Sequence, residues 1–261
     1  MKNVKLVLSD MDGTLLNSKK ELPVNFFNTL TKLHSKGIKF VVASGRGYAS
    51  LKASFSSFDN DIYYITDNGT IIYYKDECIF NDALDDSALY YIHNRLINTS
   101  CRVIYSGIKG SYAFSEDIKY LEHARIYYTT LKEIKSFNDI DDTICKIAIY
   151  NEKDAKDEVL PLITDLPSNL SGVYSSYNWV DISNKGVSKG SALLHLQEML
   201  NIKYEETMAF GDFDNDIEML KNAYYSYAME NATQTVLDVA RFKTLSNDDN
   251  GVMIILDKVV D

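Results

Sequence analysis

Two carboxylates that lie two positions apart, Asp10 and Asp12, follow a short apolar run near the start of the chain, which reads DMDGTL from Asp10 to Leu15. One carboxylate in such a place can act as a nucleophile and form an aspartyl phosphate. The other can give a proton to a leaving group and then exchange one with water. Acidic loop ends are common, however, and the same pair also fits a loop cap and a turn at Gly13.

A second acidic segment reads GDFDND from Gly211 to Asp216 and again follows an apolar run. Alternating aspartates are typical of calcium loops, but such a loop, counted from Asp212, requires Gly at its sixth position and Glu at its twelfth. Those positions hold Ile217 and Ala223, so the calcium interpretation fails. Magnesium prefers one or two carboxylates, water and the phosphate of a substrate, and this segment suits it.

Two further places offer phosphate contacts. Ser44, Gly45 and Arg46 follow a second apolar run, where a small hydroxyl and free backbone N–H groups suit a phosphoryl oxygen. Lys189 stands at the start of a helix-like stretch, where a cation opposes the helix dipole and needs an anion nearby. Taken alone, each place also fits ordinary loop chemistry. Neither has the spacing of a dinucleotide fingerprint or a Walker loop.

The elements around these residues alternate between strand and helix. The pattern predicts strands at Val4 to Ser9, Ile38 to Ala43, Ile62 to Thr66 and, after a tight hairpin at Asn68-Gly69, Ile71 to Tyr74. It resumes near the end with a helix at Ser188 to Leu200, a strand at Thr207 to Phe210 and a helix from Ile217, which an Asp or Asn among residues 214–216 is expected to cap. This order implies a parallel sheet with helices on both faces, and both acidic segments lie at strand ends, where such sheets bind ligands.

The middle of the chain has a different pattern. From about Leu84 to Asn184, helix-like stretches alternate with paired strands, among them a strand at Ile144 to Tyr150 and a helix at Glu152 to Ile163. This pattern indicates a separate α+β domain inserted into the first. We therefore expect a core of residues 1–83 and 185–261 and an insertion of residues 84–184.

The composition indicates which classes of partner the protein binds and in which cellular compartment it functions. The 37 acidic and 27 basic residues give a net charge of -10, which disfavours nucleic acid and anionic lipid but suits a divalent cation. No apolar run approaches the roughly 20 residues of a membrane span. The three cysteines are far apart and form no CxxC pair. We therefore expect a cytoplasmic protein without a nucleic-acid or membrane partner.

Four segments in this order resemble the four motifs of the haloacid dehalogenase superfamily: Asp10 to Leu15, Ser44 to Arg46, Lys189, and Gly211 to Asp216. The chain is most similar to the Cof-like (type IIB) sugar-phosphatase branch, whose cap domain lies between the second and third motifs. The resemblance covers essentially the whole chain. It implies an α/β fold, with a Rossmann-like parallel-sheet core and an inserted α+β cap that confers substrate specificity.

The resemblance also implies roles for the acidic residues. Asp10 would be the nucleophile and a Mg²⁺ ligand, and Asp12 the general acid and base, which binds the metal through its backbone carbonyl. Asp212 would be the third protein ligand. Asp216 would either bind the metal through water or support the ligands. A carboxylate at Asp12 argues for rapid hydrolysis of the aspartyl phosphate.

The remaining motif residues would bind the substrate, a small phosphate monoester such as a sugar phosphate or a phosphorylated cofactor. Ser44 and Lys189 would hold the transferring phosphoryl group, and Asn215 would fix Lys189 or the phosphate. Gly45 and Arg46 would contact the substrate, with Arg46 and the cap facing its remainder. Two alternatives stay open: a phosphomutase of the same superfamily, and a non-catalytic binding protein on the same fold.

Overall fold

The computed structural model describes residues 3–55, 61–114 and 118–261. The first part of the chain forms β1 (Leu6–Asp10), α1 (Phe26–Ser35), β2 (Lys39–Ala43), α2 (Tyr48–Ser54), β3 (Ile62–Thr66), β4 (Ile71–Tyr74) and β5 (Glu77–Asn81). The middle forms α3 (Asp86–Leu96), β6 (Arg102–Gly107), β7 (Ser111–Ala113), α4 (Ile118–Arg125), β8 (Leu131–Glu133), β9 (Ile144–Tyr150), α5 (Ala155–Glu158), β10 (Leu170–Ser176) and β11 (Trp179–Asn184). The last part forms α6 (Lys189–Leu200), β12 (Thr207–Gly211), α7 (Ile217–Lys221), β13 (Tyr225–Ala228), α8 (Gln234–Val239), β14 (Phe242–Lys243) and α9 (Gly251–Val260).

The chain divides into two compact units. The first comprises Met1–Ser44, Phe55–Ile79 and Ser188–Asp261, and the second comprises Gly45–Ser54 and Phe80–Val187. The segment Gly45–Ser54, which lies within the predicted range 1–83, thus belongs to the second unit.

The sheet of the first unit has the strand order β14-β13-β12-β1-β2-β3-β4-β5. Strand β1 pairs in parallel with both β2 and β12, and β3 pairs antiparallel with β4. The order therefore reverses at β1. Every residue of β1 and β12 is buried, as is typical of parallel strands that are covered on both faces. The predicted α/β class with a parallel-sheet core is confirmed.

Helices with one apolar stripe cover this sheet. In α1 the buried residues Phe26, Leu30 and Leu33 recur at helical spacing, and the helix packs against β2 and α9. Thr29 Oγ1 donates a hydrogen bond of 3.0 Å to Asp257 Oδ1 and joins the two helices. Helix α6 packs against α7, and α7 packs against α8 and β12. Together these contacts hold the strand ends in place.

The second unit is built on a sheet of order β10-β11-β9-β6-β7-β8, in which β9 pairs antiparallel with both β6 and β11. The predicted strand Ile144 to Tyr150 is confirmed by β9. The predicted helix Glu152 to Ile163 is wrong, because α5 ends at Glu158 and a 3-10 turn follows from Leu160 to Ile163. Pro161 explains the break, since proline has no N–H to donate inside a helix.

Across the described ranges, no helix is both long enough and apolar enough to cross a membrane.

Candidate active site

Three of the predicted site segments lie at the carboxyl edge of the first unit's sheet. Asp10 is the last residue of β1 and is aligned with Ala43, the last residue of β2. Ser44 follows β2 directly, and Asp212 follows β12, the other neighbour of β1. The strand order reverses at this point, which is where open α/β sheets bind ligands.

A buried acidic cluster occupies this edge. Carboxylate oxygens of Asp10, Asp212 and Asp216 all lie within 4.8 Å of one another. Lys189 Nζ donates hydrogen bonds of 2.6 Å to Asp10 Oδ1 and 2.7 Å to Asp216 Oδ1. Asp10, Lys189 and Asp216 are 6%, 1% and 0% exposed. Three carboxylates and one ammonium have a net formal charge of -2. A bound divalent cation would neutralise this charge.

Lys189 is placed by a capped helix start. It is the first residue of α6, and Ser188 at the N-cap accepts a hydrogen bond of 3.1 Å from Ser191 N–H. An ammonium at the positive end of the helix dipole is repelled by it, and the carboxylates of Asp10 and Asp216 offset this repulsion. Burial alone would lower the pKa of Lys189, but the charges of Asp10 and Asp216 outweigh it and raise the pKa above its ordinary value.

Asp216 stands at the N-cap position of α7, but its side chain does not cap that helix. Its Oδ2 accepts hydrogen bonds from the backbone N–H groups of Asp212 (3.0 Å) and Phe213 (3.2 Å). Its Oδ1 accepts from Lys189, so donors engage both oxygens. Of the two roles that the resemblance left open for Asp216, this geometry favours the supporting one.

Asp212 is held by the loop that follows Asp10. Thr14 Oγ1, which is buried, donates a hydrogen bond of 2.7 Å to Asp212 Oδ1. Gly13 has a φ of +85°, and a Cβ there would lie 2.4 Å from Asp212 Oδ2. Only glycine allows so close an approach at this backbone angle. Asn231 Nδ2 donates to Gly13 O at 2.8 Å and holds the loop from a third segment.

The turn between β3 and β4 also reaches this edge. Gly69 has a φ of +105°, and a Cβ there would lie 2.1 Å from Ser188 O, so the turn packs on the start of α6. Asn68 N–H donates 3.0 Å to Ser44 O. Asn68 Oδ1 in turn accepts 3.0 Å from Asn215 Nδ2. Asn215, predicted to fix Lys189 or the phosphate, is thus anchored to Asn68, a residue that the sequence marked only as part of a turn.

Burial raises the pKa of the Asp10 carboxyl well above its usual range, and the nearby charges of Asp216 and Asp212 add to this effect, while Lys189 opposes it. Burial also raises the pKa of Asp212 to about 6, against the hydrogen bond from Thr14. A bound divalent cation would favour the ionised forms of both groups. The donor set consists of carboxylate oxygens, without nitrogen or sulfur, and it therefore fits a hard cation such as Mg²⁺.

The other predicted site residues have different surroundings. The Asp12 carboxylate lies outside the cluster of three, is 35% exposed and forms an ion pair of 2.7 Å with Lys20 Nζ. No sequence pattern indicated a role for Lys20. Gly45 and Arg46 belong to the second unit, where Gly45 O accepts a hydrogen bond of 3.1 Å from Lys146 Nζ.

A parallel-stranded core with a lysine-bridged acidic cluster at the point where its strand order reverses is typical of α/β proteins that bind a ligand at their strand ends. The family model of the haloacid dehalogenase-like hydrolases matches residues 7–256, so the chain belongs to this family. It is 30% identical to the 5-amino-6-(5-phospho-D-ribitylamino)uracil phosphatase YbjI of Escherichia coli, over 99% of this chain and 97% of that protein.

Solved structures agree with this assignment. The crystal structure of SMU.1108c from Streptococcus mutans is similar with a TM-score of 0.86 and 30% identity, over 98% of this chain and 99% of that one. A haloacid dehalogenase-like hydrolase from Bacteroides thetaiotaomicron has a TM-score of 0.86 and 25% identity, over 98% and 99% of the two chains. The predicted family, fold and enzyme class, a phosphatase, are confirmed.

Proposed function

We propose that the chain is a magnesium-dependent phosphatase that hydrolyses a small phosphate monoester through a phosphorylated Asp10. The observation that carries this proposal is the pair of hydrogen bonds from the buried Lys189 ammonium to Asp10 and Asp216. They hold a carboxylate beside a fixed positive charge at the strand end where ligands bind. Phosphoryl transfer depends on such positioning and positive charge, because charge develops on the phosphoryl oxygens.

The metal would be held by the carboxylates of Asp10 and Asp212 and by the backbone carbonyl of Asp12. When bound, the ion supplies positive charge that lets an anionic nucleophile approach an anionic phosphate. Asp216 would support this site, because it fixes both Lys189 and the backbone of Asp212.

The first half-reaction transfers the phosphoryl group to the chain. A carboxylate oxygen of Asp10 attacks the phosphorus, and the bond from phosphorus to the ester oxygen breaks. Asp12 gives its proton to that leaving oxygen. Ser44 and Lys189 bind the phosphoryl oxygens during the transfer.

The second half-reaction releases phosphate. Asp12, now ionised, takes a proton from water, and the water oxygen attacks the phosphorus. The bond from phosphorus to Asp10 breaks, inorganic phosphate leaves, and the Asp10 carboxylate is restored. Asp12 ends protonated and ready for another leaving group.

For the substrate we propose a sugar phosphate or a phosphorylated cofactor or cofactor precursor. The E. coli relative is named for such an ester, 5-amino-6-(5-phospho-D-ribitylamino)uracil, which is the first compound to test. We assign residues 84–184 and the Arg46 side chain to binding the part of the substrate beyond the phosphate. The three free cysteines fit a reducing cytoplasm, and the charge of -10 fits a small substrate better than nucleic acid.

The test is free phosphate release from a panel of small phosphate monoesters, with Mg²⁺ and with excess chelator. We expect turnover that chelation abolishes and added Mg²⁺ restores. Asp10→Asn should fold, with an unchanged melting temperature, and release no phosphate. Full activity in excess chelator would contradict the metal, and more than a few per cent of wild-type turnover in Asp10→Asn would contradict the nucleophile.

A further inference from the structure

Lys146 is a fully enclosed lysine on β9 that no step above uses, with a side chain 1% exposed. Its Nζ donates a hydrogen bond of 3.1 Å to the carbonyl oxygen of Gly45. It also lies 3.6 Å from Asp181 Oδ2 and 5.5 Å from the centre of the Tyr128 ring. All four residues belong to the second unit. A backbone acceptor, a carboxylate and an aromatic face therefore surround one ammonium.

The strand itself does not account for this lysine. The next residues along β9, Ile147, Ala148 and Ile149, are buried and apolar, and lysine is depleted in strands. Burying an ammonium carries a desolvation cost that an apolar side chain of similar length would avoid. Two interactions that an apolar residue could not replace are the ion pair with Asp181 and the hydrogen bond to Gly45 O, and the latter reaches the backbone next to Ser44.

That hydrogen bond orients a peptide group. Gly45 C=O and Arg46 N–H belong to one planar unit, and in a trans peptide they point in opposite directions. Holding the oxygen therefore fixes the direction of the Arg46 N–H. Ser44, one residue earlier, is held independently, because its N–H donates 2.9 Å to Ile65 O and its carbonyl accepts 3.0 Å from Asn68 N–H. The segment Ser44 to Arg46 is thus tied at both ends.

We propose that Lys146 is a positioning residue for phosphate binding, which acts through the Gly45 carbonyl on the backbone of Ser44 to Arg46. The inference rests on the proposed function, which places the phosphoryl group at Ser44, and it adds the Arg46 backbone N–H as a second donor to that group. Asp181 and Tyr128 hold the ammonium in place beside the carbonyl. Removing the ammonium frees the Gly45–Arg46 peptide to rotate, and phosphate binding weakens in the ground state and in the transition state alike. Such a loss raises KM more than it lowers kcat.

The experiment compares Lys146→Met, which keeps the length and removes the charge, with Lys146→Arg, which keeps the charge. Lys132→Met is the matched control, because Lys132 is an exposed lysine of the same unit whose Nζ lies 5.8 Å from the centre of the Tyr112 ring. The measurements are kcat, KM and the inhibition constant of inorganic phosphate. Lys146→Met should raise KM and the inhibition constant by about tenfold or more, within the roughly 10²-fold that a misplacement of about 1 Å can cost. Lys146→Arg should recover much of the loss, and Lys132→Met should match the wild type.

Wild-type KM and phosphate inhibition in a Lys146→Met protein with an unchanged melting temperature would overturn the inference, as would an equal loss in Lys132→Met. Should Lys146→Met not fold, Lys146→Gln replaces it, since its amide is too short to reach the same acceptor, and is judged by the same outcomes. If the wild type turns over substrate and the Lys146 variant has the same KM and phosphate inhibition, the role of Lys146 is rejected and the proposed function stands. A wild type without turnover rejects the proposed function, and calorimetric binding of inorganic phosphate to the same variants then decides the role of Lys146.

Discussion

Lys189 Nζ and Asp216 Oδ1 lie 2.7 Å apart, and both side chains are closed to solvent. The other oxygen of Asp216 accepts the backbone N–H groups of Asp212 and Phe213. One carboxylate therefore connects the ammonium that faces Asp10 to the loop that carries Asp212. Asp216 therefore fixes the spacing between Lys189 and Asp212.

Asp216→Asn should leave the protein folded and lower kcat on the order of 10²-fold, the usual effect of a small misplacement in an active site. An amide that keeps its oxygen on the backbone N–H groups turns its NH₂ toward the Lys189 ammonium, so the cation loses an acceptor. Steady-state kinetics with a melting curve test this. A kcat within threefold of the wild type would show that the bridge is not needed.

Asp12→Ala should lower kcat by roughly 10²- to 10⁴-fold, the usual contribution of a general acid and base. The loss should be smaller for p-nitrophenyl phosphate than for a sugar phosphate, because a good leaving group needs little protonation. The measurement is kcat/KM for both esters in the wild type and the variant. Equal losses for the two would count against an acid at Asp12.

Thr14→Val should raise the magnesium concentration needed for half-maximal activity by roughly 10- to 100-fold, the usual effect of losing a partner of a metal ligand. The substitution keeps the shape of the side chain and removes the hydroxyl that donates to Asp212 Oδ1. Magnesium titrations at saturating substrate measure the shift.

The matched control for that prediction is Thr233→Val. Its hydroxyl donates 2.8 Å to Asp214 Oδ1, which belongs to the same loop as Asp212 but not to the acidic cluster. We expect a magnesium requirement like that of the wild type. If both variants shift the magnesium requirement alike, the effect comes from loop packing and not from Asp212, the proposed ligand.

His34 gives a prediction for stability against pH. Burial lowers the pKa of His34 from its usual 6.5, despite Asp61 Oδ2 at 3.9 Å from Nδ1. A lowered pKa means that the unfolded chain binds this proton more readily than the folded one, so stability is lost as the pH falls below about 6.5. His34→Gln should therefore lose less of its melting temperature between pH 7.5 and 5.5 than the wild type. A larger loss in the variant would contradict this sign.

Strands and the placement of Lys189 were accessible from the sequence. Strands β3 and β9 match the predicted bounds residue for residue, because each is a short and mainly apolar run, with Lys146 as the charged exception within β9. A cation at a helix start needs an anion nearby, and two carboxylates, those of Asp10 and Asp216, lie beside Lys189. The helix predicted across Pro161 is wrong because proline has no N–H donor, and a charged, periodic pattern on either side cannot replace that hydrogen bond.

Contacts between distant loops were not accessible. Thr14 meets Asp212 across 198 residues, and Asn215 meets Asn68 across 147. Such pairs depend on how turns fold back over a sheet edge, which no local periodicity encodes. The direction of the Asp12 side chain toward Lys20 is of the same kind, because it is set by the path of a loop.

The pairing of β1 with β12, in which Leu6 is aligned with Thr207, also sets an order of events during synthesis. The ribosome synthesises all of Phe80–Val187 before it synthesises β12. Strand β9 of the second unit can therefore pair with β6 and β11 before β1 pairs with β12. Closing the long loop between β1 and β12 is entropically the slower step. We therefore expect pulsed hydrogen exchange during refolding to protect β9 before β1. Simultaneous protection would exclude this order. Until β12 and the residues after it are synthesised, a nascent chain carries Asp10 without Asp212 and Asp216, and the acidic cluster is incomplete.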